Sequence, residues 1–175
     1  NDMHNNNWKR SSGNLLAGKT VLIVGYGMIG KKLSLLLKPF NAKIILCDKR
    51  FKTNKSNKFK SLSKALPNAD IITFHVDADK TILWIEECKF LKKGVLVLNS
   101  SRGKVVNEKV LIEYIKNKTI KGAWIDTFET EPYIGKLSKF ENVILTPHIG
   151  SFTVETRSQM EIESVQNILE SIRIK

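Results

Sequence analysis

The chain has 175 residues, room for one domain with a real core and little for two. Apolar residues make up 42% and charged residues 26%, an ordinary globular balance, and no apolar run is long enough to span a membrane. The net charge of +12 admits a polyanionic partner, yet the lysines are spread along the chain and the densest run, Lys49 to Lys60, interleaves only Phe51 and Phe59. Nucleic-acid binding is therefore not expected.

Residues 1–14 are polar and read as an N-terminal linker, with no apolar core of a signal peptide. The chain opens on Asn1 and is expected to be part of a longer polypeptide. From residue 15 onward, strand-like and helix-like segments alternate to the end. "TVLIV" (Thr20–Val24) predicts a strand, and "MIGKKLSLLL" (Met28–Leu37) a helix stopped ahead of Pro39. "KIILC" (Lys43–Cys47) is a second strand; the basic loop and a short helix ending in "LPNAD" follow it. "DIITFHV" (Asp70–Val76) is a third strand, and Ile82–Leu91 has helical spacing. "VLVLN" (Val95–Asn99) is a fourth strand, followed by a helix from Asn107, its N-cap, to Asn117. Ile120–Asp126 and Asn142–Pro147 are two more strands. The final helix, Val154–Ile172, puts Val165, Ile168, Leu169 and Ile172 on one face.

Near-continuous apolar strands separated by helices predict an α/β fold, a doubly wound parallel sheet covered on both faces. Ligands bind such sheets outside the carboxyl ends of the strands. Cys47 and Cys88 are too few for a disulfide framework and suit a reduced, cytoplasmic protein.

The first strand runs into "GYGMIG", which places Gly25, Gly27 and Gly30 in a G-x-G-x-x-G pattern between strand and helix. Gly25 permits the tight turn, Gly27 lets the backbone approach a pyrophosphate, and Gly30 lets helix and strand pack closely. The helix N-terminus then offers free N–H donors and a partial positive charge to the phosphates. Asp48 ends the second strand 18 residues past Gly30, where a carboxylate accepts the ribose hydroxyls and repels a 2′-phosphate. NAD is favoured over NADP, although Lys49 and Arg50 offer cations that would offset the repulsion.

Three further polar residues follow strands: Arg102 after the fourth, Glu131 after the fifth and His148 after the sixth. Singly, each has a plain explanation as an ion-pair partner, a solvated acid or a hydrogen-bonded imidazole. On one sheet edge beside a dinucleotide loop they suit interconversion of a hydroxyl and a carbonyl next to a carboxylate. Arginine forks a carboxylate, histidine exchanges protons near neutral pH, and a carboxylate steadies the imidazole. Ser100, Ser101 and Gly103 are small and would leave room for cofactor and substrate. No metal site is expected.

The pieces "LAGKTVLIVGYGMIG", "LPNADIITFHV", "LKKGVLVLNSSRGKVVNEKVLIEYIKNKTIKGAWIDTFETEP" and "ILTPHIG" resemble the NAD-binding domain of the D-isomer-specific 2-hydroxyacid dehydrogenases, from about Leu15 to the last helix. The resemblance implies that Arg102 binds the substrate carboxylate and carbonyl, that His148 is the general acid/base with Glu131 as its partner, and that Asp126 contacts the nicotinamide carboxamide. The expected cofactor contacts are Gly25, Tyr26, Gly27, Met28, Ile29, Gly30, Asp48, Lys49, His75, Val76, Ser100, Ser101, Asp126 and Gly150. A homodimer through this domain is implied as well, as is hydride transfer between NAD(H) and a small D-2-hydroxy or 2-keto acid of the glycerate, phosphoglycerate or glyoxylate type.

Two departures stand out. Asp77 occupies a position where the family often has proline, in a shortened loop, and the family's separate substrate domain is absent from this sequence. This piece alone is expected to bind cofactor and turn over poorly. A non-catalytic NADH-sensing binding protein, like the C-terminal-binding-protein corepressors, is the alternative on the same fold.

Overall fold

The computed structural model describes residues 3–8, 10, 12–51 and 59–173. The strands are β1 (Thr20–Val24), β2 (Lys43–Cys47), β3 (Ile71–Phe74), β4 (Val95–Asn99), β5 (Ile120–Ile125) and β6 (Val143–Leu145); all but β5, which carries Lys121, Gly122 and Ala123 between its two isoleucines, are mainly β-branched and leucine runs. They build one parallel sheet in the order β2-β1-β3-β4-β5-β6. The helices between them are α1 (Met28–Leu36), α2 (Leu62–Ala65), α3 (Ile85–Cys88) and α4 (Glu108–Lys116), and α5 (Val154–Arg173) closes the described chain. Phe59 adds an isolated parallel bridge to Leu46, outside β2. Most of the basic run, residues 52–58, lies outside the described residues.

The connection from β1 goes to one side, to β2, and the next strand returns to the other side of β1. This reversal opens a crevice at the carboxyl ends of β1 and β3, the place where such sheets bind ligands. Alternation along β1 supplies both faces. Leu22 and Val24 join the main core with Ile72, Phe74, Val95 and Val97, under Leu66, Val110 and Leu111. Val21 and Ile23 point the other way and pack with Leu33 of α1. Helix α4 starts as its sequence predicts, with the Asn107 side chain accepting the N–H of Val110 at 3.1 Å.

Two expectations change. The helix predicted over 82–91 shrinks to α3, because Ile82 and Leu83 donate to the carbonyl of Val105 at 2.9 and 3.0 Å as extended backbone. That pairing sends Leu83 into the core, 1% exposed. The sheet is also not covered evenly on both faces. Opposite the main core, the cross-strand row Leu98–Trp124–Ile144 is only half-buried at Leu98 and Trp124, and Ile144 is 65% exposed. The last helix forms over the predicted span with its apolar stripe, but every residue from Val154 to Ile172 is exposed. Among the described residues no helix is long and apolar enough to cross a membrane.

Candidate active site

The glycine loop leaves β1 at Gly25, whose φ of +99° is in the region only glycine occupies freely. A Cβ at Gly25 would collide with the carbonyl of His75, and one at Gly30 would collide with the carbonyl of Gly25. Both glycines are therefore demanded by backbone packing at the β1–α1 turn. Gly27 differs: the nearest atom to a Cβ there would be Nη2 of Arg50, at 3.9 Å. Gly27 begins α1 without a side-chain cap, so the first-turn N–H groups, including those of the exposed Met28 and Ile29, are left without an acceptor from the cap. An open loop with unclaimed donors on a nine-residue helix fits a dinucleotide pyrophosphate.

At the end of β2, Asp48 takes the N–H of Tyr26 at 2.7 Å, which ties the second strand's end to the glycine loop. Arg50 grips the same carboxylate with Nε at 3.0 Å and Nη2 at 2.6 Å, and its own N–H adds a third bond at 2.9 Å. The Arg50 guanidinium holds the Asp48 carboxyl far below the usual range, assisted by the N–H groups of Arg50 and Tyr26 and opposed by partial burial. Lys49 is exposed beside them. Arg50 thus stands over the Asp48 carboxylate, a placement that sequence adjacency suggests only loosely.

After β3, His75 and Val76 are half-buried at the crevice. His75 Nε2 lies 2.9 Å from the hydroxyl of Thr73, and burial pushes its pKa down. His75 forms a wall of the crevice, its ring biased by burial toward the neutral form.

After β4 the buried Asn99 shapes the loop. Its amide donates to the carbonyl of Arg102 at 2.9 Å, and its oxygen accepts the N–H and hydroxyl of Ser101 at 3.1 and 2.8 Å. Ser101 is buried, Ser100 is half-buried, and Arg102 projects into solvent. The guanidinium donates from Nη1 to the carbonyl of Ser101 at 2.9 Å and pairs from Nη2 with Asp77 at 2.9 Å. The expectation that Gly103 leaves room for ligand needs correcting. A Cβ at Gly103 would strike the backbone of Phe128 and Glu129, so this glycine lets the β4 and β5 loops pack against each other.

The loop after β5 supplies the anchors. Asp126 is 1% exposed. Its Oδ1 accepts the hydroxyl of Thr146 and the N–H of Ile149 at 3.0 Å, and its Oδ2 accepts the N–H of Gly150 at 3.0 Å. A carboxylate offers about four acceptor sites, so three of them are taken within the protein. The carbonyl of Asp126 also accepts the N–H of His148 at 2.9 Å, and His148 adopts a left-handed φ of +52° in this turn. Glu131 Oε2 lies 2.9 Å from His148 Nδ1, while Oε1 takes the N–H of Phe128 at 2.8 Å. The N–H of Phe128 and the imidazole hold the Glu131 carboxyl below the usual range. A carboxylate only accepts, so Nδ1 carries the proton and Nε2 is the basic nitrogen of the neutral ring.

Arg102, Glu131 and His148 line one cleft of about 240 Å³, with Ser101, Thr127 and Glu129 among its other walls. The hydroxyl of Thr127 is buried there without a hydrogen-bond partner among the described residues. Asn99 and Thr146 organise the site, and the sequence signals them only as polar residues ending apolar strands. Among the described residues no group of three or more His, Cys, Asp or Glu could hold a metal ion.

Comparison with known proteins agrees with this architecture. The family described as D-isomer specific 2-hydroxyacid dehydrogenase, NAD binding domain, matches residues 1–150. The chain is 35% identical over 162 residues to the glyoxylate reductase of Pyrococcus furiosus, covering 88% of this chain and 48% of that protein. It is 34% identical over 184 aligned residues to D-3-phosphoglycerate dehydrogenase of Dictyostelium discoideum, covering 98% of this chain and 45% of the relative. The crystal structure of a glyoxylate reductase from Paecilomyes thermophila superposes with a TM-score of 0.89 at 26% identity, covering 98% of this chain and 55% of the other. The chain spans about half the length of these relatives. A six-stranded parallel sheet, a glycine loop ready for a dinucleotide and these matches together make the chain a member of the D-isomer specific 2-hydroxyacid dehydrogenase family, of which it carries the NAD-binding domain.

Proposed function

We propose that this chain is the cofactor half of an NAD(H)-linked oxidoreductase that interconverts a small D-2-hydroxy acid and its 2-oxo acid. The observation that carries the reading is the shared cleft of Arg102, Glu131 and His148, with Glu131 Oε2 at 2.9 Å from His148 Nδ1. Arg102 offers a planar fork to the acid's carboxylate. Glu131 orients the ring and leaves Nε2 to face the C2 oxygen. In oxidation Nε2 takes the hydroxyl proton; in reduction the imidazolium returns it, with the ionised Glu131 offsetting the ring's charge. Bound NAD(H) accepts or supplies the hydride. Ser101, Gly27, Asp48 and the other residues of the crevice would contact the cofactor, with Asp126 at the nicotinamide carboxamide. Assembly as a homodimer belongs to the same reading and is checked by sedimentation.

The test is a panel of glyoxylate, hydroxypyruvate and pyruvate on the full-length protein, with NADH and NADPH in parallel. Oxidation of NADH by at least one acid is expected. Tight NADH binding with no turnover of any acid would replace this reading with a non-catalytic NADH-binding role.

A further inference from the structure

We infer that Asp77 is an internal competitor for the carboxylate fork of Arg102, so that an incoming acid meets a guanidinium already paired with a carboxylate of the protein itself. The inference rests on the function proposed above. Its basis is the meeting of two loops. Strands β3 and β4 pair as far as Phe74 and Asn99, which brings the segments that follow them side by side. Two ion pairs cross between these segments: Asp77 Oδ1 with Arg102 Nη2 and Asp79 Oδ1 with Lys104 Nζ, each at 2.9 Å.

The atoms involved matter. A carboxylate can meet guanidinium with two parallel bonds along the Nε–Nη2 edge or the Nη1–Nη2 edge, and both edges contain Nη2. Nη1 donates to the carbonyl of Ser101 at 2.9 Å, and Asp77 Oδ1 stands 2.9 Å from Nη2 as an ion pair. A substrate acid therefore approaches a fork whose common nitrogen already has a carboxylate beside it. Charge adds to the effect. Arg102 is the sole lysine or arginine among the residues lining the cleft, whereas Glu129 and Glu131 both line it. With Asp77 against the guanidinium, the cleft's fixed cation is partly offset before substrate arrives.

The strength of the competition follows from exposure. The side chains of Arg102 and Asp77 are 57% and 87% exposed. Pairs in that much water are weak, so Asp77 tunes affinity and does not lock the site. Opening such a pair weakens substrate binding by about 1.5- to 5-fold. The competition should fade as salt screens it.

The experiment compares Asp77→Asn, Asp77→Glu and Asp79→Asn in the full-length protein, at low and high salt, with the best acid of the panel. All these positions are exposed, so the fold is not at stake. Asp77→Asn is expected to lower KM for the 2-oxo acid about 1.5- to 5-fold at low salt, with the change in KM and not in kcat. Asp77→Glu, which keeps the competing charge, should stay near the wild-type KM. Asp79→Asn removes the same charge from the same loop but pairs with Lys104, so it should not move KM. An unmoved KM in Asp77→Asn, or an equal fall in Asp79→Asn, overturns the competitor role while leaving the function standing. A wild-type protein that turns over none of the acids overturns the function and the competitor role with it.

Discussion

Asp126 and His148 are bound to each other through the backbone, the carbonyl of Asp126 accepting the N–H of His148 at 2.9 Å, while the Asp126 carboxylate holds Thr146, Ile149 and Gly150 around it. The histidine sits on a turn with a left-handed φ of +52°, a conformation non-glycine residues seldom adopt without being held there. Backbone carbonyls of Asp126 and Thr146 take its N–H, and the buried carboxylate holds the residues flanking the turn. Asp126→Ala leaves two N–H groups and a hydroxyl without their acceptor, and is expected to cost about 3 kcal/mol of stability. A urea titration checks this: the midpoint should fall while the slope stays the same.

The Glu131–His148 pair predicts a graded loss of turnover. His148→Ala removes the proposed proton carrier and should lower kcat by roughly 10²- to 10⁴-fold with NADH affinity unchanged. Glu131→Gln keeps an acceptor for Nδ1–H but no charge to balance the imidazolium, so its loss should be smaller than that of His148→Ala. Steady-state kinetics with a cofactor titration separate the two effects. Undiminished kcat in His148→Ala would remove this residue from the mechanism.

Arg50 predicts a looser cofactor preference than Asp48 alone would impose. Its guanidinium grips Asp48 through Nε and Nη2 and lies against the open side of Gly27. A 2′-phosphate approaching Asp48 would therefore meet a cation as well as an acid. Arg50→Ala should raise KM for NADPH by roughly fivefold and change KM for NADH less. Equal changes for both cofactors would argue that Arg50 does not read the ribose.

Acid should weaken the fold at two of these carboxylates. Asp48 is held below its ordinary pKa mainly by the Arg50 side chain, and Glu131 by the N–H of Phe128 and then by His148. A depressed folded-state pKa contributes stability above the unfolded value, near pH 4, and loses it as the pH falls through the folded value. Urea midpoints measured from pH 6 to pH 2 should therefore drop on the acid side. Asp48→Asn should flatten that drop, and an unchanged slope in the variant would assign the acid sensitivity to other groups.

Much of this protein is written in local sequence. The apolar runs at Thr20–Val24, Lys43–Cys47 and Val95–Asn99 form strands at the expected positions, because an uninterrupted β-branched run has little choice but a buried parallel strand. The glycine pattern, the Asn107 cap and the location of Arg102, Glu131 and His148 after strands are local as well, and the sheet's topology alone brings those three to one edge. What the local pattern misjudged depended on distant partners. Ile82 and Leu83 have helical spacing, yet Val105 claims their N–H groups. Gly103 looks like space for a ligand, yet the backbone of Phe128 fills it. Nothing near Asp77 in the chain announces a partner 25 residues on; the parallel pairing of β3 with β4 creates it. Local sequence determined which segments become strands, helices and phosphate-binding turns, since those follow from neighbouring side chains and backbone freedom. Only the tertiary structure decided which charges meet, because pairing between loops is set by strand order and register, which no single segment contains.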